Sequence, residues 1–192
     1  MRKTWIALAT AALTLLAGCG SDSPEPVGLN PTVPIADARH NDTDVVFLQA
    51  MVAHHGQGLE LIKLARTRNL REDVALLAGA IEATQTTELQ VMQSWLTGWE
   101  KPTTGNHDLG THASHDGTPI TREAEMASLR AADENQLQTT FLNLLIGHQH
   151  NAVEMAQVEM SGGANPQTKE LANRIAQSRT EQIKLLLTLV AG

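Results

Sequence analysis

Tyrosine is absent from the 192-residue chain, and two phenylalanines with three tryptophans bring the aromatic share to only 3%. Sandwiches and barrels fill their pleated faces with aromatic and β-branched side chains, so this poverty points to packed helices. A single cysteine, Cys19, excludes an intramolecular disulfide, and the fold must rest on its core. Positive charge is scarce as well: 14 Lys and Arg against 21 Asp and Glu leave a net charge of −7. No basic footprint exists to neutralise phosphates, which excludes nucleic acid as a partner. P-loop, nucleophile-elbow and zinc-protease patterns are all missing. Nor does any glutamate have a histidine three residues later, as oxidative di-iron bundles require. Eight histidines and six methionines, by contrast, are many for this length.

The first forty residues read as export and tether. Met1-Arg2-Lys3 precedes an uncharged apolar stretch, Thr4 to Leu16, too short for the ~20-residue span of a bilayer. It ends Leu16-Ala17-Gly18-Cys19, which is similar to a bacterial lipoprotein signal. On that reading residues 1–18 are removed and the Cys19 sulfur carries a lipid that anchors the chain to a membrane at the cell envelope. Residues 19–40 hold Pro24, Pro26, Pro31 and Pro34 among Ser, Gly and Asp, the composition of a disordered tether. The folded unit is then expected over 41–192.

An internal repeat organises that unit. Phe47-Leu48 recurs as Phe141-Leu142, and the same 94-residue offset maps His54 onto His148, Leu77-Ala78 onto Leu171-Ala172, and Ile81 onto Ile175 without a gap. The stripe positions follow a helical period: in the first half Phe47, Leu48, Met51, Val52, His55, Leu59 and Ile62, then Val74, Leu77, Ala78, Ile81, Gln85, Glu88, Leu89, Met92 and Trp95. Helix starts are marked by Asn41-Asp42, by Asp133 with Gln136, and by Asn165-Pro166. Turns are expected at Arg68-Asn69-Leu70 and Ser161-Gly162-Gly163. The pattern predicts an all-α fold: a four-helix bundle of two repeated antiparallel hairpins, with halves near 42–98 and 134–190. The linker, 99–133, is expected to contain a short extra helix near 122–132 with Met126 and Leu129.

Chemistry concentrates on the inward stripe of the first helix. At 100° per residue, Met51, His54, His55 and Gly58 share about one third of the circumference. A thioether and two imidazoles within one turn supply soft and borderline donors, which suit copper better than oxygen-seeking ions. The plainer alternative is a pair of core histidines satisfied by hydrogen bonds beside a space-filling methionine. Glu88, inward on the second helix, is expected to orient His54 or His55, and Met92 lies on its stripe. In the second half Leu145, Gln149, Arg179 and Gln182 replace Met51, His55, Gln85 and Glu88, while His148 remains and Met155 lies at the stripe's edge. Arg179 facing inward could pair with Glu88 across the pseudo-axis, a structural alternative. Glu60, Glu154 and His150 are expected at the surface. The linker's His107, His112 and His115, near Asp108 and Asp116, make a tract that can hold Cu(II) or Zn(II) weakly.

Asn41-Asp42-Thr43-Asp44-Val45, Phe47 and Met51-Val-Ala-His54-His55 resemble the bacterial domain-of-unknown-function family 305. So do Gln85-Thr-Thr-Glu88 with Met92 and Trp95-Leu96, and Phe141-Leu142 with His148 and Ala152-Val-Glu-Met155-Ala156. The resemblance spans nearly all of 41–190 and implies a secreted or periplasmic, ferritin-like four-helix bundle; the best understood members bind copper and serve copper tolerance. The family's Met-x-x-His-His pattern is intact here only in the first half, and the methionine that the family places seven positions after the first histidine is Leu61 in one half and Met155 in the other. The combined expectation is a non-enzymatic, lipid-anchored protein that sequesters copper as Cu(I) or Cu(II), with a copper-exchange partner or a second copy of itself. A structural or partner-binding bundle without a physiological metal is the alternative.

Overall fold

Three of the four long helices, all but the second, begin where a side chain occupies unsatisfied first-turn N–H groups. The Asn41 side chain accepts the Asp44 N–H at 3.0 Å while the Asp44 carboxylate accepts the Asn41 N–H at 2.6 Å, a reciprocal capping box that starts α1, Asp42–Arg66. The second helix, α2, runs Glu72–Gly98, and a short α3, Glu123–Ala131, precedes α4. Asp133 accepts the N–H groups of Asn135 and Gln136 at 2.9 and 3.0 Å to open α4, Glu134–Gly162. Asn165 Oδ1 takes those of Gln167 and Thr168, both at 3.0 Å, and Pro166 follows as the first residue of α5, Pro166–Ala191. This computed structural model describes residues 36–105 and 123–191. They are all-helical, and all fall within one compact unit, Val33–Gly192.

Short turns at 67–71 and 163–165 make α1–α2 and α4–α5 two antiparallel hairpins. These pack through α1 against α4, and α3 lies across α4 and α1. The core is divided. One apolar cluster gathers Phe47, Met51, Met92, Trp95, Ala156 and Ile175; the other gathers Leu61, Ile62, Ile81, Leu137, Phe141 and Leu186. The stretch of every long helix that lies between its contributions to the two clusters supplies polar residues instead. These are His54 and His55, Gln85 and Glu88, His148 and Gln149, and Arg179 and Gln182. A polar layer therefore crosses the bundle between two apolar caps.

Three expected boundaries shift. Residues 36–40, expected in the disordered tether, form a strap fastened to the bundle: Asp37 N–H donates to Gln167 Oε1 at 2.8 Å, and the Asp37 carbonyl accepts Trp99 Nε1–H and Asn165 Nδ2–H at 3.0 and 2.9 Å. His40 stacks on Trp99 with centroids 4.3 Å apart. Trp99, expected in the linker, is therefore a buried anchor at the C-terminus of α2. Gly162 lies inside α4, so that hairpin turns at Gly163–Asn165. Cys19, the signal and most of the tether lie outside the described residues, as does the linker tract with His107, Asp108, His112, His115 and Asp116. Among the described residues no helix is long and apolar enough to cross a membrane.

Candidate metal centre

His54 and His148, equivalent positions of the repeat, meet face to face where α1 packs on α4. Their ring centroids are 3.7 Å apart and their planes 16° from parallel, so the pseudo-two-fold axis passes between them. Both are buried. Burial first, then each histidine's charged neighbours, hold His54 well below the usual imidazole range and His148 near about 3. Both rings are neutral at physiological pH, which lets two imidazoles stack without repulsion and leaves each a lone pair. Neither ring nitrogen of His54 has a hydrogen-bond partner among the described residues.

His55 faces elsewhere. Its centroid is 6.4 Å from that of His54 and the planes are tilted by 58°, so the two neighbouring imidazoles do not converge on one point as expected. Adjacent helical positions are set 100° apart, which turns one ring toward α4 and the other toward α2. His55 Nε2–H donates to Glu88 Oε2 at 2.8 Å, realising the predicted orienting carboxylate. Nδ1, the other nitrogen of the ring, makes no side-chain hydrogen bond, and the Met51 backbone one turn earlier favours the protonated ring. Burial lowers the His55 pKa despite the opposing carboxylate. The structural alternative is realised too: Arg179, fully buried, forms an ion pair with the same Glu88 oxygen, and its Nη2 lies 3.3 Å from His55 Nε2. Burial alone would raise the Glu88 pKa, but His55 and Arg179 together hold it below the usual carboxylate range.

The rest of the layer follows the repeat. Gln149 Nε2–H donates to Gln182 Oε1 at 2.7 Å, a neutral copy of the His55–Glu88 pair from which it is offset by 94 residues in both members. In the sequence, the shared 94-residue offset from His55 and Glu88 is the signal that these glutamines pair. Gly58 makes room for the layer, since a Cβ there would stand 2.5 Å from both Gln85 Oε1 and His148 Nε2. Met51 and Met92 are buried in the adjoining apolar cluster, and half-buried Met155 packs against it. Glu60, Glu154 and His150 are exposed, as expected.

The layer thus brings together His54, His55, Glu88 and His148 and places the three methionines beside it. Among the described residues no three His, Cys, Asp or Glu side chains form a preset cage. His54, a buried neutral imidazole one turn from Met51, nevertheless fits a soft ion. Neutral imidazole and thioether are its preferred donors, and buried polar nitrogens without partners are otherwise costly.

The sequence profile of a domain of unknown function, DUF305, matches residues 44–190. The chain belongs to this family. A DUF305 protein from Streptomyces coelicolor superposes with a TM-score of 0.71 at 28% identity, covering 78% of this chain and 91% of that one. A DUF305 fragment from Deinococcus radiodurans gives 0.67 at 25% identity, over 82% and 99%. CopM in its Cu(II)-bound form gives 0.65 at 23% identity, over 77% and 95%, a likeness of fold. Nothing among the curated proteins matches the chain.

Proposed function

We propose that this DUF305 chain is a non-catalytic, extracytoplasmic metal-binding bundle whose guest is copper, held as Cu(I) by the mid-bundle layer. The observation that carries this reading is His54, a neutral imidazole buried in the protein interior with both ring nitrogens unpartnered, one turn from Met51. His54 with its stacked mate His148 would hold the ion, Met51 would supply sulfur, and Glu88 would fix the His55 ring beside them. Copper bound there would be stored or passed on. Similarly folded CopM has been solved with Cu(II), Cu(I) and silver bound. The Streptomyces coelicolor relative, described as a candidate secreted protein, supports export, and the Cys19 context supports a lipid anchor. Anaerobic Cu(I) titration against a chromophoric chelator tests the reading: His54→Ala with His55→Ala is expected to abolish the high-affinity site. Unchanged affinity in that folded variant would overturn it.

One observation favours a second reading. The Arg179–Glu88–His55 network is already closed within the protein, which suits a purely structural polar layer. The two readings part on thermal melting. A guest bound only by the native state at about 100 times its Kd stabilises by about 2.7 kcal/mol, so no shift of Tm with Cu(I) or Ag(I) would favour the structural role.

A further inference from the structure

Arg179 has no counterpart in the other half of the repeat: the 94-residue offset places it opposite Gln85, just as it places Gln149 and Gln182 opposite His55 and Glu88. The first half of the layer thus carries one negative charge, Glu88, the second one positive charge, Arg179, and all of the layer's formal charge lies in the one contact between them. Arg179 is the largest fully buried side chain of the bundle. Besides Glu88, among the described residues it reaches its neighbour Ser178 Oγ, at 3.3 Å, and the edge of the His55 ring. A guanidinium in such a place cannot shed its proton, so it is a permanent resident cation.

The charge inventory follows from the four helices. From α1 come His54 and His55, from α2 Gln85 and Glu88, from α4 His148 and Gln149, and from α5 Arg179 and Gln182. With neutral imidazoles the layer sums to zero before any guest arrives. Each positive charge a guest brings is therefore uncompensated inside a low-dielectric interior. Because solvation energy scales with the square of the charge, a divalent ion forfeits about four times what a monovalent ion of similar size forfeits on leaving water. Imidazole and thioether suit a soft monovalent ion; imidazole also binds Zn(II), but as an uncharged donor it brings nothing to balance the second positive charge.

We propose that Arg179 is the charge selector of this layer: by matching Glu88 from within, it admits monovalent soft cations and excludes divalent ones. The proposal rests on the copper reading for the identity of the guest, but the exclusion can be tested separately. The whole chain would be prepared with the three linker histidines replaced by asparagine in every variant, so that only the bundle is read. Zn(II), which has no redox chemistry, and anaerobic Cu(I) would then be titrated into this parent, Arg179→Gln, Arg179→Lys, and Arg179→Gln with Glu88→Gln, each checked for helicity.

Arg179→Gln, which restores the residue type of the other half and leaves Glu88 unmatched, is expected to bind Zn(II) at least about tenfold more tightly than the parent. The lysine variant and the double variant should return to the parent value. Gln182→Glu adds one negative charge while leaving Arg179 in place, and it too should gain Zn(II) affinity; this variant decides the matter should Arg179→Gln not fold. A parent that binds Zn(II) as tightly as Arg179→Gln would overturn the proposal, as would Gln182→Glu and a folded Arg179→Gln that gain nothing. Absence of Cu(I) binding by the parent, with the Zn(II) gain present, would overturn the copper reading and leave standing only the exclusion of divalent ions by Arg179.

Discussion

Glu100 has a φ of 55°, the left-handed region that favours glycine. It ends α2: the Glu100 N–H donates to the Thr97 carbonyl at 3.0 Å and the Lys101 N–H to that of Leu96 at 2.8 Å, the paired bonds of a helix stop that glycine ordinarily occupies. Glu100→Gly removes the Cβ conflict while the exposed side chain gives up little. It is expected to stabilise the protein by about 0.5–1 kcal/mol, read as a higher urea midpoint at unchanged m-value. Gly58 poses the opposite case. The Gln85 amide could rotate away from a new methyl group, but the His148 ring is pinned against His54. Gly58→Ala should therefore cost roughly 1–3 kcal/mol by overpacking, despite alanine's better helix propensity, and should weaken Cu(I) binding along with the stack. What the sequence made legible at this scale was direction: Met51, His54, His55 and Glu88 all point inward, because helical period alone decides that. Ring partners were less accessible. Whether His54 meets its repeat mate or His55 depends on the approach of α1 to α4, and no local pattern encodes that distance.

Among the elements, the α4–α5 hairpin depends on an acidic pair. Asp44, from the first turn of α1, is buried and accepts the N–H groups of Ala164 and Asn165, and these bonds keep it ionised against its own burial. Glu159, in the last turn of α4, lies beside it. Burial first, and then the neighbouring Asp44 carboxylate, push Glu159 up to about 8, with Lys169 opposing. Its folded pKa thus exceeds the ordinary value of 4.5, so the native state binds a proton that the unfolded chain has released. The stability it contributes is complete below about 4.5 and is lost as pH rises through about 8. Denaturation between about pH 7 and about pH 9, above the range where the three buried histidines matter, should show the urea midpoint falling. Glu159→Gln should flatten that slope; an equally steep slope in the variant would remove Glu159 as its source. Helix positions and caps were legible because Asn41, Asp133, Asn165 and Pro166 signal starts by local chemistry. Glu159 carried no such signal, since its environment is assembled from residues far away in sequence.

For the molecule as a whole, the repeat disclosed the architecture before any coordinate: two like hairpins, each with one apolar stripe, have a four-helix bundle as their economical solution. Its division into two apolar clusters around a polar layer was only half visible. The inward polar residues could be read off each helix, but their common height follows from the pairing of the hairpins. The strap was missed because Pro-rich composition predicts disorder up to Asn41, whereas two buried-end groups, Trp99 Nε1–H and the Asn165 amide, require the Asp37 carbonyl. A chain beginning at Asn41 should therefore be less stable than one beginning at Ala36 by roughly 1–2 kcal/mol, a few degrees in Tm, with red-shifted tryptophan emission. Equal melting of the two would assign the strap no energetic role. Asn165 also grips the Arg39 carbonyl at 2.8 Å. Any tension drawn through the backbone ahead of Ala36 is consequently delivered to the root of α5 and the end of α2, and α1 would bear no load until Asp37 and Arg39 had both been torn from that amide.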